Sequence, residues 1–162
     1  MRDEIKLLVF SDSHGDAGAM IRAAQERAGT LNYIIHLGDI LRDAETLTFE
    51  FPRIPVLAVP GNNDWAPSMP HERVLELCGH KIYLTHGHRQ RVHYGTSLLA
   101  ARAQALGADL VLYGHTHRYS EEVIGGALFV NPGSVTRPRG GRRGTYAVVT
   151  LGESVNVEKG EI

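Results

Sequence analysis

The sequence predicts an α/β protein of one domain, residues 1–162, built as a two-sheet β-sandwich flanked by helices. Three observations carry that expectation. Strand-like and helix-like patterns alternate at the start of the chain. Five apolar runs each stop at a cluster rich in Asp, Asn, His and Gly. Towards the C-terminus, short apolar runs separated by glycines read as further strands, expected to form a second, largely antiparallel sheet.

The elements follow in order. Ile5 to Phe10 is apolar except for Lys6, as in a strand buried on both faces, and it runs into Ser11-Asp12-Ser13-His14-Gly15. Asp16 is suited to cap a helix reaching Ala28, with Gly29 as its stop. Tyr33 to Leu37 is a second strand ending at Gly38-Asp39, before a helix from Leu41 to about Phe49. Pro55 to Val59 is a third, closed by Pro60-Gly61-Asn62-Asn63-Asp64. Arg73–Leu77 and Lys81–Thr85 form a hairpin around Cys78-Gly79-His80, and its second strand enters His86-Gly87-His88. A helix over Thr96–Leu106 leads to a strand over Leu110–Tyr113, which ends at Gly114-His115-Thr116-His117. Strands are expected at 121–124, 127–130, 146–150 and 155–157.

Composition narrows the classes. A chain with 43% hydrophobic and 22% charged residues is neither disordered nor a membrane protein, and no apolar run approaches the roughly 20 residues that span a bilayer. The 17 basic and 18 acidic residues nearly cancel, which gives no strong nucleic-acid signal. One cysteine, Cys78, and a start without a signal peptide fit a cytoplasmic protein.

Nine histidines are an unusual count, and because imidazole is the commonest transition-metal side-chain ligand their positions carry information. Polar groups just beyond the carboxyl ends of strands converge on one crevice in open α/β sheets. Asp12, His14, Asp39, Asn62, His86, His115 and His117 would bring carboxylate, imidazole and amide donors there, a set suited to Mn, Fe, Zn, Ni or Co. Taken singly, each has a bland explanation as a cap, a turn residue or a surface histidine. Their joint placement at five strand ends favours a metal site.

Asp12-Ser13-His14, Gly38-Asp39, Gly61-Asn62-Asn63-Asp64, His86-Gly87-His88 and Gly114-His115-Thr116-His117 resemble, in order, the motifs of calcineurin-like metallophosphoesterases. Asn131-Pro132-Gly133-Ser134 is similar to the compact prokaryotic phosphodiesterase branch, which includes the YfcE-like enzymes. The resemblance implies a four-layer sandwich holding two divalent transition-metal ions, Mn or Ni before Fe, Co or Zn. Asp12, His14 and His117 would hold one ion, Asn62, His86 and His115 the other, and Asp39 would bridge them. Asp39, Asn62, Asn63 and His86 would be the catalytic residues, and a bridging hydroxide would attack a small phosphodiester. One position departs from the broad family, where a histidine commonly follows the metal-binding Asn; Asn63 here cannot act as a general acid near neutral pH. Asn63 is left to hydrogen-bond a phosphate oxygen, activated leaving groups are expected to be preferred, and His88 is a weak substitute donor. His36, His71, His80 and His93 are assigned no catalysis.

In the basic stretch from Arg137 to Arg143, Arg137 and Arg139 are candidates for phosphate contact, and Arg142 and Arg143 for a solvated loop. Two other readings remain: a phosphomonoesterase, or a non-catalytic scaffold resembling the retromer phosphoesterase-like subunit. The branch often self-associates, so a homo-oligomer is also kept open.

Overall fold

A computed structural model describes residues 3–65 and 68–162. Ten strands and three helices follow one another as β1 (Ile5–Phe10), α1 (Ala17–Gln25), β2 (Tyr33–His36), α2 (Leu41–Glu50), β3 (Val56–Ala58), β4 (Glu72–Leu77), β5 (His80–Thr85), α3 (Ser97–Leu106), β6 (Leu110–Leu112), β7 (Tyr119–Ile124), β8 (Ala127–Pro132), β9 (Thr145–Leu151) and β10 (Val155–Glu161). They form two five-stranded sheets, ordered β10-β9-β1-β2-β3 and β4-β5-β6-β8-β7.

Neither sheet is the largely antiparallel one expected from the C-terminal run of strands. In the first sheet β1, β2 and β3 are parallel, while β9 and β10 add antiparallel at its edge. In the second, β5, β6 and β8 are parallel between the antiparallel edge strands β4 and β7. The C-terminal strands are thus divided between the sheets. Hairpin patterns fix the partner within a pair; which sheet the pair joins depends on contacts far away in sequence.

Alternation along the strands builds the layers. Leu7 and Val9 face the other sheet, where they meet Ile82, Leu84, Leu110, Leu112 and Val130. Leu8 and Phe10 face outward onto Ala19, Met20 and Ala23 of α1. In the second sheet Tyr83, Val111 and Phe129 face outward onto Leu99 and Ala103 of α3. The result is helix, sheet, sheet, helix. Full burial of one such aliphatic side chain contributes about 1.5–3 kcal/mol.

Helix ends follow local chemistry. Asp16 accepts from the Ala19 amide at 3.4 Å, and α1 stops at Gln25, before Ala28. Gly107 closes α3 in the left-handed conformation. The β4–β5 turn is tighter than expected: Cys78 and Gly79 both have positive φ, and His80 already pairs with Leu77. No helix among the described residues is long and apolar enough to cross a membrane.

The parallel strands put the carboxyl ends of β1, β2, β3, β5, β6 and β8 on one rim. The three hairpin turns at 78–79, 125–126 and 152–154 lie on the other.

Candidate metal centre

Every ligand-type residue singled out in the sequence sits on the first rim. The loop after β1 presents Asp12 and His14, that after β2 Asp39, that after β3 Asn62, that after β5 His86, and that after β6 His115 and His117. Asp12, His14, Asp39, His115 and His117 all have positive φ, a conformation that non-glycine residues rarely adopt. Such strain concentrates where surrounding structure imposes it, as at functional sites.

Two groups of donor atoms emerge. Atoms of Asp12, His14 and His117 lie within 4.8 Å of one another, as do those of Asp12, Asp39 and His86. Asp39 spans the groups: its Oδ1 is 3.6 Å from His86 Nε2 and its Oδ2 3.8 Å from His14 Nε2. Beside His86, Asn62 Oδ1 approaches Nε2 at 3.1 Å and His115 Nδ1 approaches it at 3.2 Å.

The surrounding hydrogen bonds choose which atoms face inward. His86 Nδ1 donates to the Leu37 carbonyl at 2.7 Å, so Nε2 carries the lone pair. His117 Nδ1 likewise donates to the Arg137 carbonyl at 2.9 Å. Asp12 Oδ2 accepts from Ser11 Oγ at 2.7 Å and from the His115 amide at 2.9 Å, whereas buried Oδ1 has no hydrogen-bond partner. That orphan acceptor lies 3.4 Å from His117 Nε2 and 3.7 Å from His86 Nε2. Buried lone pairs facing one another without shared protons are costly unless a cation lies between them. The donor set of carboxylate, imidazole and amide oxygen therefore fits divalent transition metals.

Electrostatics favour the ligand forms. Burial would raise the Asp12 carboxyl, but the neighbouring His117 and His86 rings and the Ser11 hydroxyl outweigh it and hold the group well below the carboxylate range. Burial pushes His14 down and, with His86 and His93 beside it, His115 down to about 4, so both rings are neutral at neutral pH. His117 is the exception: the Asp12 carboxylate beside it raises it.

Asn63 takes a different position from the one expected. Its backbone N–H donates to Asp39 Oδ1 at 3.0 Å and its side-chain amide to Asp39 Oδ2 at 2.8 Å, so both donors brace the spanning carboxylate. His88 packs against His86 and His115; burial, then His86, lower it to about 4, leaving a neutral ring that is a poor acid at neutral pH.

Several supporting residues carry no sequence signal for their role. Asp64 Oδ1 accepts from the Ile40 and Leu41 amides at 3.1 and 2.8 Å, and Oδ2 from the Asp39 and Gly61 amides at 3.1 and 2.8 Å. It caps α2, whose own N-cap residue supplies no side-chain bond. His36, Ser13 and Asp43 form a buried chain: Ser13 Oγ donates to Asp43 at 2.6 Å and lies 2.9 Å from His36 Nε2. Ser134 Oγ donates to the Asp12 carbonyl at 2.8 Å, and Asn131 Nδ2 to the Gly114 carbonyl at 3.1 Å, so the Asn131-Pro132-Gly133-Ser134 turn ties two ligand loops together. Gly38, at φ +103, admits that crowding: a Cβ there would sit 2.6 Å from Gly61 N and 2.8 Å from His86 Nδ1.

The other histidines divide. His80 pairs with Asp109 and the Gly152 carbonyl, away from the rim. His93 lies 4.2 Å from the His115 ring, centroid to centroid, and His71 6.0 Å from that of His88. His93 reaches the site through the short turn Val92–Tyr94, which no motif spacing marks.

Against known proteins, the model for the calcineurin-like phosphoesterase superfamily domain matches residues 5–154. The probable metallophosphoesterase YsnB of Bacillus subtilis is 34% identical over 91% of this chain and 85% of its own length. The phosphodiesterase YfcE of Escherichia coli K12 is 30% identical over 90% and 87%. The crystal structure of a predicted phosphoesterase from Streptococcus pneumoniae TIGR4 matches with a TM-score of 0.83 and 30% identity, covering 100% of both chains. Vps29 of Entamoeba histolytica, at 20% identity and a TM-score of 0.76 over 98% of this chain and 99% of its own, shares the fold.

Proposed function

Because the chain belongs to the calcineurin-like phosphoesterase superfamily, we propose that it is a phosphodiesterase using two divalent transition-metal ions, Mn or Ni before Fe, Co or Zn. The observation that carries this reading is the pair of donor groups spanned by Asp39, with the orphaned Asp12 Oδ1 among them. His14 and His117 with Asp12 would hold one ion; Asn62, His86 and His115 the other. When bound, such ions acidify water and offset charge on the phosphoryl oxygens.

The chain's own residues supply orientation. Leu37 and Arg137 carbonyls hold the His86 and His117 rings with Nε2 inward, and Asn63 fixes both oxygens of Asp39. With its amide engaged there, Asn63 is no proton donor to the departing alkoxide, and His88 is neutral. The leaving group then draws its proton from water, which favours esters of acidic alcohols. The substrate is a small phosphodiester: a cleft of about 870 Å³ beside Asn63, bordered by Trp65, Met69 and Arg73, offers room for one ester arm. The scaffold reading expects ligands to be lost without loss of the sandwich, and here all seven ligand-type side chains are present and converge.

The test is hydrolysis of bis-p-nitrophenyl phosphate and p-nitrophenyl phosphate by chelator-stripped protein after return of Mn, Ni, Zn or Mg. Diester cleavage restored by metal, and reduced about 100-fold or more in Asp39→Asn, is expected. Monoester preference would overturn the subclass; folded, metal-binding protein without turnover would favour the scaffold.

A further inference from the structure

The basic segment after the Asn131-Pro132-Gly133-Ser134 turn does more than surround the rim with charge. It closes over a cavity of about 230 Å³ lined by His117, Arg118, Tyr119, Arg139, Arg143 and Lys159, with no carboxylate in its wall. Among the described residues, none of these four cations forms an ion pair with Asp or Glu, whereas Arg27 and Arg102 are engaged by Glu158 and Glu72. Arg143, expected in the sequence to be simply solvated, is part of the wall.

The cavity is fastened to the metal-ligand side. His117 turns Nε2 towards Asp12 and donates from Nδ1 to the Arg137 carbonyl, and the Arg139 amide donates back to the His117 carbonyl at 2.7 Å. One residue is thus shared by the donor cluster and the basic cavity. Lys159 Nζ, from β10, lies 5.1 Å from the Tyr119 ring centroid, so its ammonium is supported by an aromatic face. Convergence of unpaired cations on a concave wall raises the local affinity for anions, and arginine forks match phosphate oxygens in geometry.

We propose that this cavity is a second anion subsite, which takes a phosphate carried by the substrate in addition to the phosphodiester that reacts at the rim. The proposal rests on the phosphodiesterase reading for its substrate class. It makes the favoured substrate a diester one of whose alcohols bears a further phosphate, as in a phosphorylated nucleotide ester, over a diaryl ester without a second phosphate. Recognition through exposed arginines also makes the preference sensitive to salt.

Two matched probes test it: thymidine 5′-(4-nitrophenyl phosphate), and the same ester carrying a 3′-phosphate. With metal-loaded protein, the 3′-phosphate should raise kcat/KM about tenfold, the effect of one charge-assisted contact. In Arg139→Ser/Arg143→Ser the ratio between probes should fall towards one. A second readout needs no turnover: by calorimetry, metal-loaded wild-type protein should bind thymidine 3′,5′-bisphosphate more tightly than thymidine 5′-monophosphate by a similar factor, and the double variant should not. Equal handling of both members of each pair by wild-type protein, or a preference kept by the variant, overturns the subsite. If no metal supports hydrolysis of either ester while the calorimetric preference appears and is lost in the variant, the subsite stands and the phosphodiesterase reading falls.

Discussion

His36 is buried completely beneath the donor cluster, and burial lowers its affinity for a proton below that of an exposed histidine despite Asp43 nearby. A base depressed in the folded state binds fewer protons there than in the unfolded chain, so its contribution is present above the unfolded value of 6.5 and is lost as pH falls through it. In chelator-treated protein, urea unfolding between pH 7.5 and 5 should show stability falling with acid, in which His14, His88 and His115 share. His36→Gln, which keeps a donor for Ser13, should remove about one proton from that dependence. An unchanged slope would show that folded His36 takes up its proton as readily as it does in the unfolded chain. At this scale the ligand types are legible in the sequence, because metal donors come from a short list and follow strands. The burden on Asn63 and His93 is not: Asn63 meets Asp39 across 24 residues of chain, and His93 reaches His115 only through tertiary packing.

The loops are better understood as joined pairs than as separate motifs. Asp64, at the end of the loop after β3, collects four backbone N–H groups from the Asp39 loop, the start of α2 and its own turn. Its charge also faces the positive end of the α2 dipole. Asp64→Ala should cost about 2–3 kcal/mol in urea unfolding, since several buried donors lose a charged partner. It should also weaken metal binding about tenfold or more, by freeing Asp39. Asp64→Asn should lie between the two. A loss of stability with unaltered metal affinity would separate the cap from the site. The elements themselves are legible from periodicity, and their ends lie within a few residues of expectation. The joining of loops is not, since Asp64 reads locally as an ordinary turn residue.

Across the whole molecule, two mixed sheets hold six strand ends on one rim, and the donor atoms come from loops of both sheets. A cation held there would bridge the halves of the sandwich, so its binding energy would add to folding energy. Raising free Mn to about 100 times its dissociation constant should stabilise the protein by about 2.7 kcal/mol, seen as a concentration-dependent rise in melting temperature. Asp39→Asn should flatten that rise. A melting temperature indifferent to metal would mean that the rim is equally ordered without it. The two-layer core is legible from alternation in β1, where Leu7 and Val9 face one way and Leu8 and Phe10 the other. The division of the C-terminal strands is not, because β9 must cross back to β1 over most of the chain length. The hairpin turns at 78–79, 125–126 and 152–154 all lie on the rim away from the donors. The molecule consequently has one pole where loop length and backbone shape are tied to chemistry, and another that only reverses the chain; sequence drift, insertions and grafted peptides can be absorbed at the second without retuning the first.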